Sequence, residues 1–491
     1  MNLIAVLPEI SLFFGAIFIL MSDVFLAKKI SNFFCISHLL ALVFCAFALL
    51  AIINNFNHLE ISFNQMLINN SFTIFAKAIT VTLLTIVILF SLNFLFFVQK
   101  ISAEILALMM ISAVGAMVLI SANDFLTFYL ALELQGLALY LLAALNKKSA
   151  KSSEAGMKYF VLGSLASGIL LFGISMIYGF SGTINFSALS ELYSSAQNSA
   201  NEVPIAVMFG FILVIIAMFF KIAAAPFHMW SPDVYEGSPT IVTTFFATVA
   251  KFAASIVLIR LISTLTLGWI GMNKILVLVA LTSIVVGSFG AIAQKNIKRL
   301  LAYSSISHIG FVILGLAAFN KEAVIASVFY MVIYAVLALG SFGFLNLIRS
   351  TDEQKAGCED DLENDKIFNI SSLSGLAKTN PFMAFSLAAL MFSTAGIPPF
   401  AGFFSKFYII MAALRSGFMI PAIIAILVSV ISAYYYLRIV KIMYFDEAKE
   451  SSIKLDNIAN IKIIVFFCAI INLIFIVFID QLLLIINNFV G

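Results

Sequence analysis

Five side chains that can carry a proton stand inside long apolar runs: Glu133, Lys221, Lys251, His308 and Lys406. A charge at the centre of a bilayer costs about 2.5–3.5 kcal/mol on insertion scales, and ionisable groups inside membrane spans mark ion pathways by default. A carboxylate that approaches a buried ammonium holds the proton on the amine; one that is drawn away lets it go. A moving Glu133–Lys221 pair is therefore a proton gate. Histidine is the side chain best suited to shuttle protons near neutral pH, so His308 can link Lys251 to Lys406. Each residue also has a plainer reading. A lysine near a helix end snorkels to the interface, a histidine can be a hydrogen-bonded core residue, and one glutamate can simply fix a neighbour. Those readings explain the residues singly and do not explain five at similar depth on five separate runs.

The segments that hold these groups are interrupted. In the stretch Ala217–Lys251, Lys221 lies in an apolar run that Pro226 breaks five residues later. A polar turn with His228, Pro232, Asp233, Glu236, Gly237 and Pro239 follows, and the next apolar run carries Lys251. A second run contains Pro398-Pro399, flanked by Gly396 and Gly402, with Lys406 just beyond. Irregular backbone at membrane depth is tolerated only where it is buried in protein or lines a wet cavity. The breaks thus predict water reaching Lys221 and Lys406, each from one side. The alternative is a simple packing kink.

The whole chain must position these elements inside a bilayer. Of 491 residues, 63% are hydrophobic and 10% charged, and the mean hydropathy is +1.12. A soluble domain has roughly a quarter of its residues charged. No basic, aromatic-interleaved groove suggests nucleic acid. The reading is an all-α polytopic membrane protein embedded in the lipid bilayer, with about 14 transmembrane helices, each needing about 20 apolar residues. The spans are expected at 3–26, 30–53, 72–98, 101–120, 123–145, 155–179, 203–229, 240–263, 274–293, 299–318, 322–348, 379–413, 418–440 and 460–487. Alternating Ile61 and Phe63 in the polar segment Asn54–Ser71 predict a short hairpin outside the membrane. The N-terminus has no basic region or small-residue cleavage site and reads as the first span, not a removable signal.

With both termini outside, about nineteen of the lysines and arginines fall on the cytoplasmic side and about five outside, the positive-inside bias. Spans 4–8 and 9–13 form two blocks of five. An odd block length inverts the second block relative to the first, and each block has a broken helix in its fourth position, spans 7 and 12. Inverted repeats with broken helices at matching places are a transporter signature. The expected organisation is residues 1–100, an N-terminal unit of three helices; 101–263, the first five-helix repeat; 272–441, the second; and 442–491, a C-terminal loop and the last helix.

Cys35, Cys45, Cys358 and Cys468 show no CxxC spacing, so a metal or iron–sulfur site is not expected. The sequence has no GxGxxG, Walker loop or haem-ligand pair, so energy for pumping must come from another protein. His38 has no evident partner. The segments Arg349–Lys378 and Asp446–Lys454 read as solvated connectors.

Three motifs then carry a family resemblance: KIAAAPFHMWSPDVYEGSPT (Lys221–Thr240), RLLAYSSISHIG (Arg299–Gly310) and STAGIPPFAGFFSKFY (Ser393–Tyr408). Together they resemble the antiporter-like membrane subunits of respiratory complex I, the bacterial NADH–quinone oxidoreductase, over spans four to thirteen. The PDVYEG wording and the lysine of span 12 favour the N-type branch. An M-type subunit would carry a glutamate there, and an L-type subunit a long C-terminal lateral helix.

The resemblance implies that Glu133 is the glutamate of span 5, Lys221 its partner lysine, Lys251 the central lysine, His308 the linking histidine and Lys406 the exit-side lysine. It implies no cofactor in this subunit: FMN, iron–sulfur clusters and the quinone site belong to partner subunits. It also implies contact with an M-type antiporter-like subunit and with small K- and J-type subunits, in a bacterial inner membrane with both termini periplasmic. Ser238 and Ser405 stand where the family pattern has Ala and Gly. Two rivals stay open: a subunit of a multi-subunit cation/proton antiporter or membrane-bound hydrogenase, and a structural scaffold that carries no protons.

Overall fold

The structure is a computed structural model that describes residues 3–26, 33–55, 60–97, 102–146, 149–198, 204–265, 271–349, 367–448, 454–456 and 458–490. Among these residues, thirteen helices are long and apolar enough to cross a membrane. They are spans 1–11, 13 and 14 of the sequence reading. Span 12 is the exception, because it consists of two short helices, Pro381–Ala395 and Ala401–Arg415. The all-helical membrane fold expected from composition is thus the observed one, apart from two small two-stranded pairings.

The first of those pairings is the hairpin expected in the segment 54–71. Strand Glu60–Ser62 pairs antiparallel with Leu67–Asn69, Ile61 opposite Ile68. Its tip is docked: the Asn123 amide donates to the Gln65 carbonyl at 3.0 Å and the Asn123 backbone N–H to Met66 O at 2.7 Å. One polar node therefore joins the hairpin to the turn between spans 4 and 5. Asp124 then caps span 5 (Phe125–Ala143), accepting from the N–H groups of Leu126 and Thr127, both at 2.8 Å. These are donors that a helix start otherwise leaves unpaired.

Several elements differ from the sequence reading, each for a local reason. Span 6 runs from Ala150 to Ser181, 32 residues, because Ser149 caps it early and Gly182, at φ 72°, ends it late. The polar stretch after it holds an amphipathic helix, Phe186–Asn198. The stretch 367–378 is not simply solvated. Ile370, Leu373 and Leu376 are buried, and Phe368 O and the Ile370 N–H bond the turn before span 10. The remainder of that connector, 350–366, and residues 449–453 of the other lie outside the described residues, as do the side chains of Cys35 and Cys358. Cys45 and Cys468 are buried free thiols. His38 has the partner that sequence reading lacked: its Nε2 lies 3.1 Å from Ser91 Oγ.

Candidate functional site

Span 7 is helix Ile205–Ile222, ending at Ala223, a left-handed residue at φ 59°. Three residues after Ile222 comes a cis peptide, Ala225-Pro226, and helix resumes at Trp230–Gly237. Span 12 repeats this arrangement. Its first half ends at Gly396, φ 86°, and a cis Pro398-Pro399 bond precedes the second half. In both breaks the left-handed residue stands three positions before the second proline of the cis bond or its only one: Ala223 before Pro226, Gly396 before Pro399.

The lysines sit on opposite sides of these breaks. Lys221 is in the last turn before its break. Lys406 is in the helix after its break and reaches back: its Nζ donates to Thr394 O at 3.0 Å, to Ala395 O at 2.9 Å and to Ser429 Oγ at 3.2 Å. Those two carbonyls end the first half-helix, where acceptors lack intrahelical partners and the helix dipole favours a cation. Gly396 makes the approach possible. A Cβ there would lie 3.1 Å from Lys406 Cδ and 3.2 Å from Nζ, at a φ that L side chains rarely adopt.

Lys251 follows a π-helical turn, Phe246–Ala250, inside span 8. Such turns shift the side chains of a helix relative to its neighbours and recur at functional sites. The Lys251 ammonium donates to Ser305 Oγ at 2.6 Å and lies 5.7 Å from the Tyr235 ring centroid. Ser305 and His308 are one turn apart on span 10 (Ile297–Leu316). His308 is held from both sides: Nδ1 is 2.6 Å from Tyr330 OH and Nε2 is 3.2 Å from Tyr436 OH. Tyr436 OH is also 2.5 Å from Ser304 Oγ. Tyr436, Ser432 and Ser429 share one face of span 13 (Met419–Phe445), and Ser429 is the residue that accepts from Lys406. Lys251, His308 and Lys406 thus each contact a hydroxyl on spans 10 and 13, with one helical turn between Ser305 and His308 and two between Ser429 and Tyr436.

All four nitrogen-bearing residues are buried, with Lys221 7%, Lys251 3%, His308 6% and Lys406 6% exposed. That excludes snorkelling for the three lysines. Glu133, half-buried on span 5, is placed differently. Its Oε1 accepts a hydrogen bond from Ser167 of span 6. Lys221 stands across from it, near enough for the two charges to act on each other. Among the described residues the pair makes no contact ion bridge, and Lys221 Nζ has no hydrogen-bond partner. Gly136, one turn after Glu133, leaves the room: a Cβ there would sit 3.4 Å from Lys221 Nζ and 3.3 Å from Tyr140 OH.

Between Lys221 and Lys251 the lining is aromatic. Tyr140 meets Tyr159 edge-on at 4.8 Å, and Tyr159 stacks on Trp230 at 4.3 Å, 9° from parallel. Phe246, at the start of the π turn, closes on Tyr159 at 5.9 Å.

The half-helix Trp230–Gly237 is tethered by charge. Asp233 accepts from Lys158 at 2.7 Å and Arg299 at 2.8 Å, and Glu236 from Arg299 at 2.9 Å and Lys151 at 3.2 Å. Asp233, Glu236, Arg299 and Lys151 line a cavity of about 270 Å³. The sequence reading noted Asp233 and Glu236 as turn residues and missed this role. It also missed Ser305, Tyr330, Tyr436 and Ser429. Their signal was present as hydroxyls spaced three or four apart in otherwise apolar spans, the spacing that puts side chains on one helix face.

Residues 122–432 match the family described as NADH:quinone oxidoreductase/Mrp antiporter, TM. The chain belongs to this family. Among its relatives, the NADH-quinone oxidoreductase subunit N of Paramagnetospirillum magneticum is 41% identical over 92% of this chain and 90% of its own length. A chain of respiratory complex I from Thermus thermophilus with bound aureothin superposes with a TM-score of 0.79 at 26% identity, covering 97% of this chain and 98% of that one. A chain of the Mrp complex from Dietzia sp. shares the fold, with a TM-score of 0.81 at 21% identity over 100% of this chain and 97% of its own. Family members are thus matched along nearly the full length of the chain, broken helices included.

Proposed function

We propose that this chain is the antiporter-like, proton-translocating subunit N of a respiratory NADH–quinone oxidoreductase, working beside other membrane subunits. The observation that carries the reading is the set of buried polar contacts Lys251–Ser305, His308–Tyr436 and Lys406–Ser429, brought together on spans 8, 10, 12 and 13. Hydroxyl groups both donate and accept, so they pass protons between these groups, with side-chain rotation or water bridging the steps that lack a direct contact. Glu133 and Lys221 act as the gate at one end, and Lys406 delivers at the other. Water entering beside the two broken helices supplies and removes the proton.

In this reading the chain holds no redox centre. FMN, iron–sulfur clusters and quinone sit on partner subunits, and M-, K- and J-type subunits are its lateral neighbours. Among the described residues, no three His, Cys, Asp or Glu side chains come together as a metal site. The protein lies in the bacterial inner membrane with both termini periplasmic. It divides into the three-helix unit 1–100, two inverted repeats at 101–263 and 272–441, and the tail 442–491. The left-handed residue that ends the first half-helix in both breaks supports that division.

The alternative, a subunit of a cation/proton antiporter or membrane-bound hydrogenase, draws on shared fold. The 41% identity to a subunit N chain favours the respiratory complex. The decisive variant is Lys251→Met in the assembled complex in its native membrane. We expect normal assembly and proton pumping reduced to background; pumping at the parental rate in this variant overturns the relay.

A further inference from the structure

The contact between Glu133 and Ser167 is not required by the relay and has no place in it so far. Spans 5 and 6 meet here face to face. Glu133, Gly136 and Tyr140 form one stripe on span 5, and Gly163 and Ser167 form the facing stripe on span 6, with the Tyr140 hydroxyl packed onto Gly163. Lys221 enters from span 7 at Gly136, within the same stripe as the carboxylate. Glu133 is therefore within the orbit of two donors, a neutral hydroxyl and an ammonium. The hydroxyl holds it, and the ammonium has no acceptor among the described residues.

That distribution is the reverse of what charge alone favours, because charge-assisted bonds between two ions are the stronger class. Ser167 also behaves differently from the serine next to it on the helix. Ser164 turns back to its own helix, donating to Phe160 O at 2.9 Å, the usual habit of a serine inside a helix. Ser167 instead points across the helix interface to Glu133.

We propose that Ser167 is a positioning residue that holds Glu133 away from Lys221, so that the carboxylate has two alternative docks and the gate two defined positions. With Glu133 on Ser167, the ion pair is open and Lys221 is poised to give up its proton. With Glu133 on Lys221, the pair is closed and the proton is retained. A hydroxyl suits the first dock because it rotates freely and releases the carboxylate without stranding a charge. The inference rests on the proton-relay reading above and adds to it the element that opens the pair.

The test uses the whole complex in native membranes, with proton pumping and the infrared carboxylate band of Glu133 as readouts, the band being identified by its loss in Glu133→Gln. A hydrogen bond to a charged group is worth enough to bias an equilibrium roughly tenfold or more. We therefore expect Ser167→Ala to slow pumping about tenfold and to shift the band, at unchanged assembly. Ser167→Thr, which keeps the hydroxyl, restores both. Should Ser167→Ala fail to assemble, Ser167→Cys, a near-isostere with a weak donor, takes its place with the same expected shift. Parental pumping and an unmoved band in the serine variants overturn the inference, as does a defect that Ser167→Thr fails to repair. If Glu133→Gln blocks pumping while Ser167→Ala does not, only the role of Ser167 falls. If Glu133→Gln pumps normally, the gate itself falls.

Discussion

The two broken helices have the same backbone device and opposite lysines. In span 12, Lys406 lies beyond the break, folds back onto the carbonyl ends of the first half-helix and finds three acceptors. In span 7, Lys221 lies before the break, where Phe220 O already accepts from Trp230 Nε1 at 3.0 Å, and it finds no acceptor among the described residues. A helical side chain leans toward the N-terminus of its own helix, away from the C-terminal carbonyls. A lysine placed after the break reaches them more directly. The difference teaches that one turn geometry yields a seated cation or a free one, according to which half carries it. The free one is the one that stands opposite a glutamate.

This contrast can be broken by experiment. The largest effect should come from replacing each lysine by methionine in the assembled complex. Lys406→Met leaves the Thr394 and Ala395 carbonyls buried without their donor, at a cost of roughly 2–4 kcal/mol. Lys221→Met removes a buried ammonium that makes no hydrogen bond among the described residues, and should change the midpoint of thermal dissociation far less. Equal losses in both variants would contradict the distinction between seated and free.

A smaller effect separates the turns themselves. Gly396→Ala places a Cβ at φ 86° against the Lys406 stem, which should cost about 1–2 kcal/mol for the left-handed conformation. Ala223 already has a Cβ at φ 59°. There, Ala223→Gly relieves that conformation while losing a buried methyl, worth about 0.8 kcal/mol, so the same thermal measurement should show little change.

Smallest in stability is Tyr436→Phe. It removes one hydroxyl from between Ser304 and His308, a loss of about 0.5–1.5 kcal/mol. Its signature lies in transport: pumping in vesicles should slow several-fold, since the hydroxyl joins the imidazole to the face of span 13. If pumping is unaffected, the link between Lys251 and Lys406 does not run through Tyr436.

Much of the molecule could be read from residue types in order. The long apolar runs set the spans, and Pro226 and Pro398-Pro399 set the breaks, because a proline inside a helix removes a backbone donor and clashes with the preceding turn. The hairpin at residues 60–69 was expected from its polar segment and the alternation there, though Phe63 lies in the turn and not in a strand. Less legible were the 32-residue length of span 6 and the helix Phe186–Asn198, whose polar composition hides an amphipathic face. The docking of Ile370, Leu373 and Leu376 was also hidden, since a charged connector masks a few apolar anchors.

The sequence by itself determined that this chain crosses the membrane many times, that five ionisable groups lie within the spans, and that two spans are interrupted next to lysines. These follow from local rules: apolar length, the cost of buried charge, and the chemistry of proline. Only the tertiary structure decided which hydroxyls stand between Lys251, His308 and Lys406, that Lys406 is seated while Lys221 is not, and that Glu133 rests on Ser167. Those outcomes depend on how helices distant in sequence rotate and close against one another. Small shifts in packing decide whether two polar groups meet at 3 Å or miss, and no single segment records that.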